Sequence, residues 1–248
     1  MRGIVLAGGK GTRLLPATRV TNKHLIPILN KPMIEYPIAT LLDFGCVDIL
    51  VVTGGEHIGD IASYLGDGSD RKTRDGADVR FTYKVQSEAG GIAQALLLAE
   101  DFCRGEDMMV ILGDNIFDNA QFQESHMQSY GSIYQDTAII HVKSVEDPRR
   151  FGVVEFKEEG EGIRKIVEKP ENPPSKFAVT GLYHYPSDVF DFIKKLKPSA
   201  RGELEITDVN NWYADKGKLQ MRVLGGFWSD AGTPESLWEV TNWVYNKK

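Results

Sequence analysis

Apolar runs and glycine punctuation divide the chain into short elements. Residues 2–7 (RGIVLA) are apolar and stop at a glycine cluster, which predicts a buried strand and a tight turn. Pro32 opens a predicted helix with Met33, Tyr36, Pro37, Leu41 and Phe44 on its apolar side, and Pro37 is placed to kink it. Residues 48–53 (DILVVT) are β-branched and apolar, a second buried strand, and 79–84 (VRFTYK) alternate as a third. After Gly90 and Gly91, Ile92, Ala95, Leu96, Ala99, Phe102 and Cys103 fall on one helical face. Residues 108–113 (MMVILG) predict the next buried strand, ending on Asp114. Strands alternating with helices imply an α/β chain with a largely parallel sheet covered on both faces.

Beyond Asp114 the texture changes. Strands are predicted at 137–142, 152–156, 163–168 and 178–185, then helices near 187–196 and 203–216, with Ser187 as a cap for the first. A strand near 219–225 leads to the loop FWSDAGT, and a last helix takes Thr233 as its cap and Pro234 at its first position. No repeat, low-complexity tract or linker interrupts the chain. One continuous domain over 1–248 is therefore expected, with an N-terminal lobe over 1–113 and a C-terminal lobe over 114–248.

Composition is ordinary for a globular protein, 42% hydrophobic and 26% charged. A net charge of -6 argues against nucleic acid as a partner. The distribution of charge changes the picture: Arg2, Lys10, Arg13, Arg19, Lys23 and Lys31 all precede the first acidic residue, Glu35. Positive charge gathered around glycines in an acidic protein suggests an anion site. Cys46 and Cys103 lie in apolar surroundings with no disulfide or zinc spacing, which fits a reducing cytoplasm. No apolar run approaches the ~18 residues of a membrane helix, and glycine interrupts the N-terminus too early for a signal peptide. The histidines His24, His57, His126, His141 and His184 lack metal spacing and read as structural, with His24 the one close to the basic loop. Trp212, Trp238 and Trp243 fall on predicted helices and read as packing or interface residues.

The loop Leu6-Ala7-Gly8-Gly9-Lys10-Gly11-Thr12-Arg13 sits where the first strand ends. Glycines let successive backbone N–H groups surround a phosphate, and Arg13 offers a forked charge partner. A tight turn without a ligand fits the same residues. The dinucleotide fingerprint G-x-G-x-x-G fails because Leu14 stands where its last glycine belongs. The P-loop fails because Gly-Lys is followed by Gly11.

Together with Asn22-Lys23-His24-Leu25-Ile26-Pro27, this loop (L-A-G-G-x-G-T-R-L) resembles the sugar nucleotidyltransferases. Lys31-Pro32-Met33-Ile34, Leu112-Gly113-Asp114-Asn115-Ile116-Phe117, Phe151-Gly152-Val153-Val154-Glu155-Phe156 and Glu168-Lys169-Pro170 agree in order. Ala178-Val179-Thr180-Gly181-Leu182-Tyr183 and Pro198-Ser199-Ala200-Arg201-Gly202-Glu203-Leu204-Glu205-Ile206-Thr207-Asp208 point to the glucose-1-phosphate thymidylyltransferase branch. The resemblance implies a three-layer α/β/α Rossmann-like fold with a central mixed, mostly parallel sheet. It also implies transfer of a nucleotidyl group from dTTP to glucose 1-phosphate, giving dTDP-glucose for deoxysugar synthesis. A UTP-preferring or other-sugar enzyme is the alternative, and a non-catalytic sugar-nucleotide-binding regulator a distant one. The regulator reading fits poorly, because all the charged groups that such proteins lose are present.

By the same resemblance, Arg13, Lys23, Lys169 and Arg201 handle the phosphates. Leu6, Gly8, Gly11, Thr12, Arg13, Gln86, Gly91 and Asp114 bind the nucleotide, with a Gln86 amide able to pair with a pyrimidine edge. Asn115, Gly152, Glu168, Lys169 and Val179 bind the sugar, and Asp114 with Asp230 holds Mg2+, which favours carboxylate and phosphate oxygens. Read without the family, Asp114 also fits a turn, Asp230 a helix cap, Gly90-Gly91 a helix entry and Glu168 an ion pair with Lys169. Phe151 replaces a frequent tyrosine, and Ala231 a frequent threonine. Longer members carry a C-terminal helical extension tied to subunit contacts and a regulatory nucleotide site; it is expected to be absent here, although a homo-oligomer remains compatible with the sequence.

Overall fold

The computed structural model describes residues 1–122, 136–158 and 162–247, so His126 lies outside the described residues. The strands are β1 (Arg2–Ala7), β2 (Pro27–Ile28), β3 (Lys31–Pro32), β4 (Asp48–Gly54), β5 (Arg80–Gln86), β6 (Met108–Leu112), β7 (Asn115–Phe117), β8 (Ala138–Ser144), β9 (Gly152–Phe156), β10 (Ile163–Glu168), β11 (Phe177–Tyr185), β12 (Leu219–Val223) and β13 (Trp228–Asp230). The described helices are α1 (Glu35–Asp43), α2 (Ile58–Leu65), α3 (Ile92–Leu97), α4 (Glu100–Cys103), α5 (Val189–Ile193), α6 (Ile206–Asp215) and α7 (Pro234–Asn246). None of these is long and apolar enough to cross a membrane.

The chain forms two compact units that interleave in sequence. Unit 1 takes 1–89, 109–119 and 227–248; unit 2 takes 90–108 and 120–226. This differs from a single boundary at 113, and the reason is that burial follows partners in space rather than chain order. Ile116 joins Ile28 and Met33 in one core cluster with Ala231 and Val240, and Phe227, Leu237, Trp243 and Val244 pack against it. The Phe227 and Trp243 rings stack at 4.4 Å. Trp243 is thus a packing residue, whereas Trp238 is 70% exposed.

In unit 1, β1 pairs with β4 in parallel from Gly3↔Ile49 to Ala7↔Thr53, and β4 pairs with β5 from Asp48↔Arg80 to Gly54↔Gln86. β6 lies on the other side of β1. The interiors of β1, β4 and β6 are buried, as the apolar runs require. The parallel register brings the C-terminal ends of β1, β4 and β5 to one edge, where open α/β sheets present ligand sites. Cys46 and Cys103 are buried free thiols.

Unit 2 has a mixed sheet. β8 pairs antiparallel with β11 and parallel with β12, and β9 pairs antiparallel with β10. Behind it, Tyr185 and Tyr213 stack, the Tyr185 hydroxyl donates to Asn210 at 2.6 Å, and Trp212 stacks on Phe192 at 4.6 Å. Trp212 is therefore also a packing residue.

Several boundaries differ from the sequence reading. Pro32 ends β3, and α1 begins only at Glu35. Pro37 then falls in the first turn, where a missing N–H has no helical partner to lose, so it costs little. The predicted helix over 92–103 is two helices with a turn at Leu98–Ala99. Ser187 does not cap α5; Asp188 precedes it, and its carboxylate instead accepts from the Tyr213 hydroxyl at 2.5 Å.

Candidate functional site

In unit 1 the loop after β1 is shaped by close approaches. Gly11 has φ +65 and precedes a single 3-10 turn at Thr12–Leu14, and the Leu14 N–H donates to its carbonyl at 2.9 Å. The Thr18 hydroxyl donates to the same carbonyl at 2.9 Å. A Cβ at Gly11 would come within 2.8 Å of Thr18 Cγ2 and 2.9 Å of Lys23 Cβ, so glycine is required twice over. A Cβ at Gly8 would fall 2.3 Å from Gln86 Oε1, which puts the Gln86 amide directly against the loop backbone. Leu6 is buried in β1 beneath these residues.

A cavity of about 480 Å³ opens at this edge. The loops after β1, β4 and β5 line it, together with Thr18 and residues 21–23. Gly8, Lys23 and Gln86 are the predicted nucleotide positions on its wall. Sequence reasoning missed the wall after β4, residues 54–57, where His57 lines the cavity and its Nδ1 lies 3.1 Å from Asp60 Oδ2. The signal was present: Gly54-Gly55 follows a buried strand, as Gly8-Gly9 does.

Lys23 sits in a short 3-10 turn whose entry is held by Asn22. The Asn22 Oδ1 accepts from the His24 N–H at 2.9 Å and lies 2.6 Å from His24 Nδ1. Burial, then the Lys23 charge, pushes the His24 imidazole down to about 3, so it is neutral and structural. Lys23 Nζ lies 2.5 Å from Asp114 Oδ2. Burial alone would raise the Asp114 carboxyl, but the Lys23 charge, with hydrogen bonds from Lys23 and Asn115, outweighs it and holds the group well below the usual carboxylate range.

Asp230 comes to Asp114 through the β7–β13 ladder. Asp230 is opposite Asn115, and the Ala231 N–H donates to the Asp114 carbonyl at 2.8 Å. Asn115 Nδ2 donates to Asp114 Oδ1 at 3.0 Å, and Trp228 Nε1 donates to Asn115 Oδ1 at 2.7 Å. Arg13 reaches the same corner: a Cβ at Gly232 would lie 2.9 Å from its Nη2. Behind Asp230, α7 starts with the predicted Thr233 cap and Pro234, and Thr233 and Ser236 form a reciprocal capping box. Ser236 Oγ also donates to the Asp230 carbonyl at 2.9 Å. Thr233→Ala is expected to lower stability by about 1 kcal/mol, seen as a lower urea midpoint at unchanged slope; an unmoved midpoint would show the cap to be idle.

Unit 2 gathers a second set. Glu168 ends β10 opposite Gly152. Its Oε2 accepts from the Thr207 hydroxyl at 2.6 Å, and Arg201 Nη2 and Lys169 Nζ lie 3.3 and 3.6 Å from its Oε1. Arg201 is also gripped by Glu205, with Nη2 at 2.7 Å from Oε2 and Nε at 3.1 Å from Oε1. Lys169 has φ 42, with its N–H donating to the Phe151 carbonyl at 2.9 Å. Half the Lys169 side chain and 44% of that of Arg201 stay exposed, so both cations can meet an anion. A Cβ at Gly152 would sit 3.5 Å from both Glu168 Oε2 and Thr207 Oγ1. Val179 is buried in β11 opposite Val142. Glu205 and Thr207 were missed as partners, although both lie in the motif that carries Arg201. Gly91, at φ +96, is where α3 begins: the Leu204 N–H donates to the Gly90 carbonyl at 2.8 Å and the Ala93 N–H to the Leu204 carbonyl at 3.2 Å.

Among the described residues, no group of three or more His, Cys, Asp or Glu side chains is arranged to hold a metal ion. The profile of the family described as nucleotidyl transferase matches residues 2–247.

The chain belongs to the nucleotidyl transferase family.

Relatives within it include glucose-1-phosphate thymidylyltransferase of Neisseria meningitidis serogroup A, 44% identical over 98% of this chain and 82% of the relative. That of Xanthomonas campestris pv. campestris is 42% identical over 98% and 80%. A Bacillus anthracis structure described as a glucose-1-phosphate thymidylyltransferase in complex with a sucrose superposes at a TM-score of 0.87, with 48% identity over 98% of this chain and 94% of that one. A UDP-glucose pyrophosphorylase complexed with UDP-glucose gives 0.84, with 28% identity over 100% and 99%. The fold of this nucleotidyl transferase is thus the Rossmann-like α/β fold with a mixed, mostly parallel sheet that the motifs implied. Nucleotidyl transferases of this family generally use a divalent metal.

Proposed function

We propose that this nucleotidyl transferase moves a thymidylyl group from dTTP to glucose 1-phosphate, releasing pyrophosphate and forming dTDP-glucose. The observation that carries the reading is the ionised Asp114 paired with Lys23 near a glycine loop, in the turn before β7, whose first residue Asn115 is laddered opposite Asp230. The names borne by relatives above 40% identity support the choice of base and sugar.

Unit 1 is the nucleotide-binding part. Its loop backbone at Gly8, Gly11 and Thr12 and the cations Arg13 and Lys23 surround the triphosphate, above Leu6. Gln86, held against Gly8, offers an amide to the pyrimidine edge. Gly91, a nucleotide position by resemblance, lies in unit 2. Unit 2 is the sugar-phosphate part, where Glu168 accepts from sugar hydroxyls beside Gly152 and Val179, and Lys169 and Arg201 hold the phosphate. Asn115, a sugar position by resemblance, has its amide against Asp114 and Trp228. An oxygen of the sugar phosphate attacks the α-phosphorus, the bond to the pyrophosphate oxygen breaks, and no covalent enzyme intermediate forms. Catalysis then rests on positioning and on cations that match the charge of the departing pyrophosphate.

The donor set fits a hard divalent cation, Mg2+: two carboxylates at one end of the β7–β13 ladder, one held ionised, leave room for phosphate oxygens and water. Asp114 and Asp230 would hold it, and it would neutralise charge on the phosphates. The buried free thiols fit a cytoplasmic protein.

The likeness to UDP-glucose pyrophosphorylase supports UTP as a second substrate. A pyrophosphate-release panel over nucleoside triphosphates and sugar 1-phosphates separates the two. The largest kcat/KM is expected for dTTP with glucose 1-phosphate, and none without Mg2+. A UTP maximum would reverse the base assignment, and no release with any sugar phosphate would end the proposal.

A further inference from the structure

The amide of Asn115 stands between an indole and the carboxylate of Asp114. Trp228 Nε1 can only donate, and it lies 2.7 Å from Asn115 Oδ1, so the orientation of that amide is set by the indole rather than by choice. The other end of the amide must then be its –NH2, which donates to Asp114 Oδ1 at 3.0 Å. Asn115 is 2% exposed and Trp228 9%, so water cannot readily replace these partners. With Oδ1 held by Asn115, the remaining oxygen, Oδ2, is the one 2.5 Å from Lys23 Nζ. The backbone reinforces the arrangement. Trp228 and Asp230 belong to the same strand, β13, and Asp230 is opposite Asn115 in the ladder. The strand that delivers one carboxylate therefore also delivers the indole that orients the other.

We infer that Trp228 and Asn115 are positioning residues for the Asp114 carboxylate, relaying orientation from the indole N–H through the amide so that the rotation of the carboxylate is fixed where it would hold a divalent cation. The inference rests on the reading of Asp114 and Asp230 as the cation's ligands. Hydrogen-bond partners behind a metal ligand fix its rotation, and their loss typically weakens metal binding about 10–100-fold. Without the indole donor, the Asn115 amide loses the bond that keeps its oxygen turned away from Asp114.

The test uses the whole chain with an α,β-methylene analogue of dTTP, so that binding is measured without turnover. Mn2+ replaces Mg2+, and free Mn2+ is titrated by electron paramagnetic resonance. Trp228→Phe keeps a ring and removes the N–H; Asn115→Ala removes the relay, with Asn115→Ser in its place if the alanine variant does not melt cooperatively. Both folded variants are expected to bind Mn2+ about tenfold more weakly than the unaltered protein. A weakening of Mn2+ binding of less than about threefold in either folded variant overturns the inference. So does an unchanged Mn2+ affinity with a raised sugar-phosphate KM, which would make Asn115 a sugar contact. Failure of the proposed reaction is separately visible, since it would show as absent turnover in the unaltered protein while Mn2+ and analogue still bind.

Discussion

Asp114→Ala is expected to lower pyrophosphate release roughly a hundred- to a thousandfold while the protein still unfolds cooperatively. Asp114 lies two residues beyond the buried β6, its carboxylate is held ionised by Lys23, and its carbonyl accepts from the Ala231 N–H, next to Asp230. Removing a group that answers charge in a transition state costs about that much. It also leaves the Lys23 ammonium, with a side chain only 12% exposed, without this carboxylate. Breaking a buried pair costs about 3–5 kcal/mol, and here less, because both side chains keep some contact with water. Catalysis and stability can be separated by a second variant. Asp114→Asn combined with Lys23→Met removes both charges at similar volume, and is expected to recover stability but not activity. Turnover within tenfold of the unaltered protein in Asp114→Ala would remove this residue from the reaction.

The second large effect is on folding. Gly91→Ala is expected to destabilise the protein by about 2–4 kcal/mol, measured as a fall in the urea midpoint. Its φ of +96 lies where side chains are strained, and the new Cβ would sit 2.5 Å from the Leu204 carbonyl oxygen, a backbone atom pinned by its bond to Ala93. Gly90→Ala is the control. There the Cβ would meet only the Gln94 amide, the movable end of a flexible side chain, so about 1 kcal/mol or less is expected. A stable Gly91→Ala protein with impaired dTTP binding would instead favour the base-contact role.

Much of this was legible in the sequence because the signals were local. The strands at 152–156 and 163–168 and the helix opened by Thr233 and Pro234 coincide with the pattern, since alternation, turn residues and caps act over a few positions. The glycine loop was legible for the same reason. What escaped depends on neighbours distant in the chain. Pro32 could open a helix, but with Lys31 it joins a two-residue ladder with Pro27 and Ile28 instead. Ser187 could cap α5, but Tyr213 from a later helix had already engaged the residue after it. The partner of the Asn115 amide escaped in the same way, because the indole that donates to it lies more than a hundred residues away.

The interleaving of the two units also bears on how a growing chain can fold. The core of unit 1 joins Ile28 and Met33 to Ala231 and Val240, and its candidate cation site joins Asp114 to Asp230. While ribosomal synthesis stands between about residue 120 and residue 227, unit 1 lacks the segment that closes it, and the faces of Met33 and Ile116 have no lasting cover. The rest of unit 2, residues 120–226, is made during that interval, after its first segment, 90–108. Unit 2 is therefore complete in sequence before unit 1, which closes only as the ladder between β7 and β13 zips shut.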